Sequence, residues 1–246
     1  MLPRCGYAVD AVVFDLLYTL AIPGTYPGGA DRIGWLSGLL GIDERELRLR
    51  WEAFEPRLET GSVPSPSRRA APEIDWIASV AASLGSPCSD DVLDVIDRDW
   101  DLTRREALST PHPSAMPVLQ GLRQRGIRVG VLSNTHAAEV RTWPRSPLST
   151  AVDAVAFSHD IGCLKPDPAA YATILDRLGT HEARSVFVGD GGSDELAGAR
   201  DCGFALVVLA EEAPRRLSPD RLPELRRQSH ASVQDLAELL ALVDSS

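Results

Sequence analysis

Five short apolar runs, each bounded by polar or turn residues, constrain this chain more than any other feature. They cover residues 11–14, 127–132, 154–157, 185–188 and 204–209. Continuous hydrophobicity, in place of strict alternation, predicts strands buried on both faces of a parallel sheet. Helical patterns lie between them. Residues 117–125 carry Val118, Leu119 and Leu122 on one face; 168–178 carry Tyr171, Ile174, Leu175 and Leu178; 195–202 carry Leu196 and Ala199. Gly126, Gly179 and Gly203 stand where helix stops belong. A last helix is predicted over residues 233–243. This alternation predicts an α/β fold, a doubly wound parallel sheet.

Residues 23–113 break the pattern. They hold helical periodicities over 30–40, 44–59, 72–84 and 90–108 and no buried-strand run. Gly41, the Gly61 to Ser67 stretch and Gly85-Ser86-Pro87 separate them, and Pro-containing segments at 23–29 and 111–113 flank the whole. The reading is a helical cap domain at 23–113, inserted after the first strand of a core domain made of 1–22 and 114–246. Trp35, Trp51, Trp76 and Trp100 are expected to build the cap's own core.

The formal net charge of -10 argues against nucleic acid and against an anionic membrane surface as partners. Cys5, Cys88, Cys163 and Cys202 have no C-x-x-C spacing, which predicts free thiols in a cytoplasmic protein. No signal peptide and no membrane span is read in the sequence. A monomer or homodimer is expected.

The chain has one lysine, Lys165, among 25 basic residues. Where arginine is otherwise the rule, a single lysine marks a place that needs a slim ammonium on a flexible stem and not a planar guanidinium. In a doubly wound sheet, function gathers at the carboxyl ends of the strands. Those ends are Asp15, then Ser133-Asn134-Thr135-His136, the loop with Lys165, and Gly189-Asp190-Gly191-Gly192-Ser193-Asp194. Brought together they supply three carboxylates, a hydroxyl and an ammonium. Such oxygen donors suit Mg²⁺, and a serine with an ammonium beside a metal makes a phosphate cradle.

In order and spacing these four segments resemble the four motifs of the haloacid dehalogenase superfamily, and the helical insert resembles that family's type 1 cap. The resemblance covers nearly the whole chain. It implies a hydrolase in which Asp15 is the nucleophile, Ser133 and Asn134 hold the transferred group, and Lys165 balances its charge. It also implies Mg²⁺ held by Asp15, Asp190, Asp194 and the backbone carbonyl of Leu17, with a small phosphorylated molecule as substrate.

One position departs from the phosphatase pattern. Where most phosphatases of this superfamily carry a second Asp as general acid, this chain has Leu17, which cannot transfer a proton. Acid–base help contributes about 10²–10⁴-fold in rate. His136, Glu52 and Glu55 are candidates to replace it, although a solvated histidine and ordinary helix-surface carboxylates are the plainer readings. Arg32 and Arg57 could meet an anionic group of the substrate, although arginine on a helix is more often solvated.

Four activities compete. A Mg²⁺-dependent phosphohydrolase ranks first, with a substrate whose leaving group departs without protonation, such as an acyl phosphate or anhydride. A 2-haloacid dehalogenase also lacks the second Asp, but it works without metal, and an acidic cluster with no cation would repel a haloacid's carboxylate. A phosphonate hydrolase would need a cap lysine, which this chain lacks. A degenerate ligand- or partner-binding protein has Leu17 as its sole support.

Overall fold

The computed structural model describes residues 9–24, 31–62 and 72–244. Cys5, most of the 23–29 hinge and the Pro-rich stretch from Val63 lie outside them. The described residues form a six-stranded, all-parallel sheet in the order β3-β2-β1-β4-β5-β6. Its strands are β1 Ala11–Phe14, β2 Arg128–Ser133, β3 Ala154–Phe157, β4 Ser185–Gly189, β5 Leu206–Ala210 and β6 Ala231–Val233. The helices are α1 Arg32–Leu40, α2 Glu44–Glu59, α3 Pro72–Ser83, α4 Asp90–Ser109, α5 Ala115–Gln124, α6 Leu148–Ala151, α7 Ser158–Ile161, α8 Pro168–Leu178, α9 Glu195–Asp201, α10 Glu212–Leu217, α11 Leu222–Gln228 and α12 Leu239–Val243.

Every residue of β1, β4 and β5 is buried. Successive side chains of a strand point to opposite faces, so each strand feeds two cores. Val12, Phe14, Val129, Val131, Val186 and Val188 pack with α5, α6 and α12. Ala11, Val13, Leu132, Phe187, Val207 and Leu209 pack with α8, α9 and α11. Apolar material on both faces is why the strands read as continuous hydrophobic runs.

One expectation changes. Val233 does not open the last helix: it ends β6, whose Ala231 pairs with Val208 and whose Val233 pairs with Ala210. A three-residue edge strand with Ser232 at its centre has no apolar run to announce it. The chain turns helical only at Leu236, after Asp235 caps the turn through the Ala237 amide.

Helices α1 to α4 enclose a separate core that includes Ile33, Leu36, Leu47, Trp51, Ile77, Ile96 and Trp100, with Trp35 and Trp76 packed against it. The tryptophans therefore do build this core. Helix α4 runs beyond it, since Ala107 and Leu108 in its last turns join the core under the sheet.

Strand order reverses between β1 and β4, and a crevice opens at the carboxyl end of such a switch point. The register sets what meets there. Phe14 pairs with Val131 on one side and Val188 on the other. Asp15 therefore stands level with Leu132 and Gly189, its amide bonded to the Val188 carbonyl at 2.8 Å. Ser133 and Asp190 project one residue beyond it.

Candidate active site

Asp15 follows the last residue of β1 and is buried. The chain then turns sharply: the amides of Leu20 and Ala21 both bond the Leu16 carbonyl, at 2.9 Å each. Tyr18 sits in the turn at φ 66°, left-handed backbone that a bulky side chain rarely adopts. Leu17 is half-buried and packs against the sheet's core. The position two residues after Asp15 therefore carries no titratable group.

Lys165 reaches in from the loop before α8. Its ammonium lies 2.5 Å from Asp15 Oδ1 and 2.5 Å from Glu195 Oε2, and its side chain is buried. Asn134 holds that loop at two points: the Lys165 amide donates to Asn134 Oδ1 at 2.8 Å, and Asn134 Nδ2 donates to the Lys165 carbonyl at 3.0 Å. Ser133 Oγ donates to Asp15 Oδ1 at 3.4 Å. The structure thus brings Asp15, Ser133, Asn134 and Lys165 together.

The fourth segment differs in one respect. Asp15, Asp190 and Glu195 offer carboxylate oxygens that all lie within 4.8 Å of one another. Asp194 is not part of this group; it is exposed on the turn before α9. Ser193 and Asp194 both adopt left-handed backbone, at φ 51° and 52°, and this double twist swings Asp194 outward and brings Glu195 in. Glu195 is almost fully buried, and its second oxygen accepts from the Gly191 amide at 3.0 Å. Two glycines make room for it. A Cβ on Gly189 would run into the Glu195 carboxylate, and one on Gly198 would lie 2.6 Å from Pro166, closing the gap between α9 and the Lys165 loop.

The charges do not balance. One ammonium faces three carboxylates. Burial opposes the charge on Lys165, but Asp15 and Glu195 outweigh it and hold the ammonium above its ordinary range. Asp190 is pushed up by burial and then by Asp15. Glu195 is pushed up by burial, with the pull of Lys165 partly offset by Asp15 and Asp190. Such groups titrate as a unit, so the cluster holds a proton above the ordinary carboxylate range.

A stability prediction follows from the sign. The folded cluster binds more protons than the unfolded chain from about pH 4 up to neutrality. Without a divalent cation, this cluster's contribution to stability is therefore largest in acid and falls as pH rises through that window. Thermal melts at several pH values in EDTA should show the fall, and millimolar Mg²⁺ should flatten it. A slope that is the same with and without the cation would argue that no metal binds there.

A second charged cluster joins the helical insert to the core. His136 is buried, not solvated, and its Nε2 lies 3.0 Å from Arg104 Nη2 and 3.4 Å from Glu139 Oε1. Arg104 also reaches Glu73 at 3.5 Å. Arg32 bonds Glu55 and approaches Glu139 at 3.4 Å, with its guanidinium 4.3 Å over the Trp51 ring. Burial opposes ionisation of Glu139, but His136, Arg104 and Arg32 outweigh it and hold the carboxyl below the usual range. His136 and Arg32 are thus interface residues. Glu52 and Arg57 are exposed, whereas Glu55 is engaged with Arg32.

Comparison with known proteins agrees with the geometry. A family model described as haloacid dehalogenase-like hydrolase matches residues 9–203. The chain belongs to that family and is an enzyme of the hydrolase class. It is 30% identical over 245 residues to the ribulose-1,5-bisphosphate 5-phosphatase of Halopiger xanaduensis, covering 95% of this chain and 98% of that one. It is 29% identical over 215 residues to a protein named as a phosphatase from Mycobacterium tuberculosis, covering 85% and 86%. Among solved structures, the L-2-haloacid dehalogenase of Xanthobacter autotrophicus shares the fold with a TM-score of 0.59 at 20% identity, covering 96% and 98%. A HAD phosphatase from Thermococcus onnurineus does so with a TM-score of 0.55 at 20% identity, covering 97% and 99%. Among the described residues no helix is long and apolar enough to cross a membrane.

Proposed function

We propose that the chain is a divalent-metal-dependent phosphohydrolase acting on a small phosphorylated organic molecule, with Asp15 as nucleophile and residues 23–113 as the cap over the site. The observation that carries this reading is the surplus of negative charge around a single ammonium. Asp15, Asp190 and Glu195 converge on one point and want a further cation. A site built to expel halide from a haloacid would present that surplus to the substrate's own carboxylate. The full-length similarity to a sugar-bisphosphate phosphatase supports the same choice.

The donor set fits a hard cation. Glu195 already spends one oxygen on Lys165 and the other on Gly191. Asp15, Asp190 and the Leu17 carbonyl are therefore the groups that would hold Mg²⁺, and Glu195 acts by fixing Lys165. When bound, the cation would offset charge on the phosphoryl oxygens. The protein does the rest. Asp15 attacks phosphorus; Ser133 and the Asn134 segment hold the phosphoryl oxygens; Lys165 holds the Asp15 carboxylate in place and balances the charge on the transferred group. Water then cleaves the phosphorylated Asp15. The helices above would keep bulk water out until the alcohol has left.

The test is release of phosphate from phosphomonoesters, and of halide from 2-haloacids, in Mg²⁺ and in EDTA. Phosphate release that needs the metal, with no halide release, is the expected result. Halide release insensitive to EDTA would overturn the reading.

A further inference from the structure

Leu17 leaves the core without a proton donor beside the nucleophile, while the underside of the insert carries a carboxyl with no assigned role. Glu59 is the last residue of α2. It lies one turn beyond Glu55, and residues four apart share a helix face. That face is turned toward the loop after β2, because Glu55 is held by Arg32, which also reaches Glu139 in that loop. The end of α2 is seated on the core: a Cβ on Gly61 would come within 2.7 Å of the His159 carbonyl on α7. Helix α7 leads directly into the loop that presents Lys165. Glu59 thus lies within electrostatic reach of Lys165, Glu139 and Arg32. It is half-buried, and, unlike those of Glu55 and Glu139, its carboxyl makes no hydrogen bond or ion pair with a described residue.

We propose, building on the phosphohydrolase reading, that Glu59 is the acid–base group that replaces the one absent at Leu17. In the first step the Asp15 carboxylate forms a bond to phosphorus, the phosphorus–oxygen bond to the alcohol breaks, and Glu59 gives its proton to the departing oxygen. In the second step water adds to phosphorus as Glu59 takes one of its protons. The acyl phosphate bond breaks, hydrogen phosphate leaves, and Asp15 and protonated Glu59 are restored. No other reactant is needed.

The surroundings suit this cycle. Burial, followed by the carboxylates of Glu55 and Glu139, pushes Glu59 up to about 8, while Arg32 and Lys165 pull the other way. It is therefore protonated at neutral pH, as a donor must be, and close enough to neutrality to serve as a base once the proton is gone. His136 is a poorer candidate because its Nε2 is committed to Arg104 and Glu139 and its Nδ1 is buried facing Glu73, 3.7 Å away.

The experiment compares wild type, Glu59→Gln and Glu59→Asp on glycerol phosphate, whose alkoxide needs a proton, and on p-nitrophenyl phosphate, whose phenolate leaves without one. Wild-type kcat on glycerol phosphate should fall as pH rises through about 8. In Glu59→Gln that kcat should drop by about 10²–10⁴-fold with KM little changed. The alkaline limb should vanish, yet the first-turnover burst of p-nitrophenol should survive. Glu59→Asp should keep part of the activity and of the limb. Adding Leu17→Asp to Glu59→Gln should restore turnover. A Glu59→Gln enzyme with the wild-type kcat and pH profile would overturn the proposal. So would equal loss of burst and turnover on both esters with the limb intact, which is the signature of a structural role. If wild type itself releases no phosphate from either ester in Mg²⁺, the phosphohydrolase reading fails and takes this one with it.

Discussion

Asp15→Asn is expected to lose turnover and, in the absence of metal, to melt at a higher temperature than the wild type. The loss follows from chemistry: an amide is no nucleophile toward phosphorus, and removal of a nucleophile costs about 10⁴-fold or more. The gain follows from the charge count. Asp15 is among the causes that push both Asp190 and Glu195 upward. Replacing it with a neutral isostere leaves Lys165 paired with Glu195 and relieves that repulsion. The amide oxygen can still accept from Lys165 and Ser133. An effect of about 1 kcal/mol corresponds to roughly 2–4 °C for a chain of this size. Active sites commonly trade stability for function in this way. Melts in EDTA should show the variant above the wild type, and Mg²⁺ should reverse the order because only the wild type keeps the full donor set. A variant that melts lower in EDTA, or that retains a hundredth of the activity, would break the argument.

What the sequence disclosed and what it hid divide along physical lines. The five longer strands were legible because burial on both faces leaves an uninterrupted apolar run, and α2 and α8 have the bounds that their periodicity implies. Strand β6 was hidden because three residues around Ser232 carry no pattern. Asp15, Ser133, Asn134 and Lys165 were legible because strand ends in a parallel sheet converge. Glu195 was hidden by its own helix. The family resemblance pointed to Asp194, and only the left-handed pair Ser193 and Asp194 decides which carboxylate faces inward. Gly189 and Gly198 were the available signal, since both vacate the space that Glu195 and the Lys165 loop occupy. His136 looked like a solvated residue after a strand because its partners Arg104 and Glu73 lie on helices far away in the chain. Glu59 had no sequence signal, since its surroundings exist only once α2 rests on α7.

Lys165→Met should do the reverse of Asp15→Asn, losing both activity and stability. Removing one partner of a buried ion pair strands the other, at a cost of about 3–5 kcal/mol. Here Asp15, Asp190 and Glu195 would all be left without an ammonium. The loss must depend on pH. Lys165 is held above its ordinary pKa, so its contribution is complete at neutrality and would fade only far into alkali. Without it Asp190 and Glu195 lose a pull that holds them down, are driven further upward, and the folded state takes up still more protons. The variant should therefore come close to wild type near pH 5 and fall well below it near pH 8, with Mg²⁺ recovering part of the difference. Lys165→Arg separates charge from shape. The ammonium fits between two carboxylate oxygens, each 2.5 Å away, in a loop pinned by Asn134 and packed against Gly198. A planar guanidinium carries the same charge but is wider and places its donors in a rigid fork. It should restore much of the stability at pH 8 and little of the turnover. If arginine restored turnover as well, the choice of lysine here, against arginine elsewhere in the chain, would have no geometric reason.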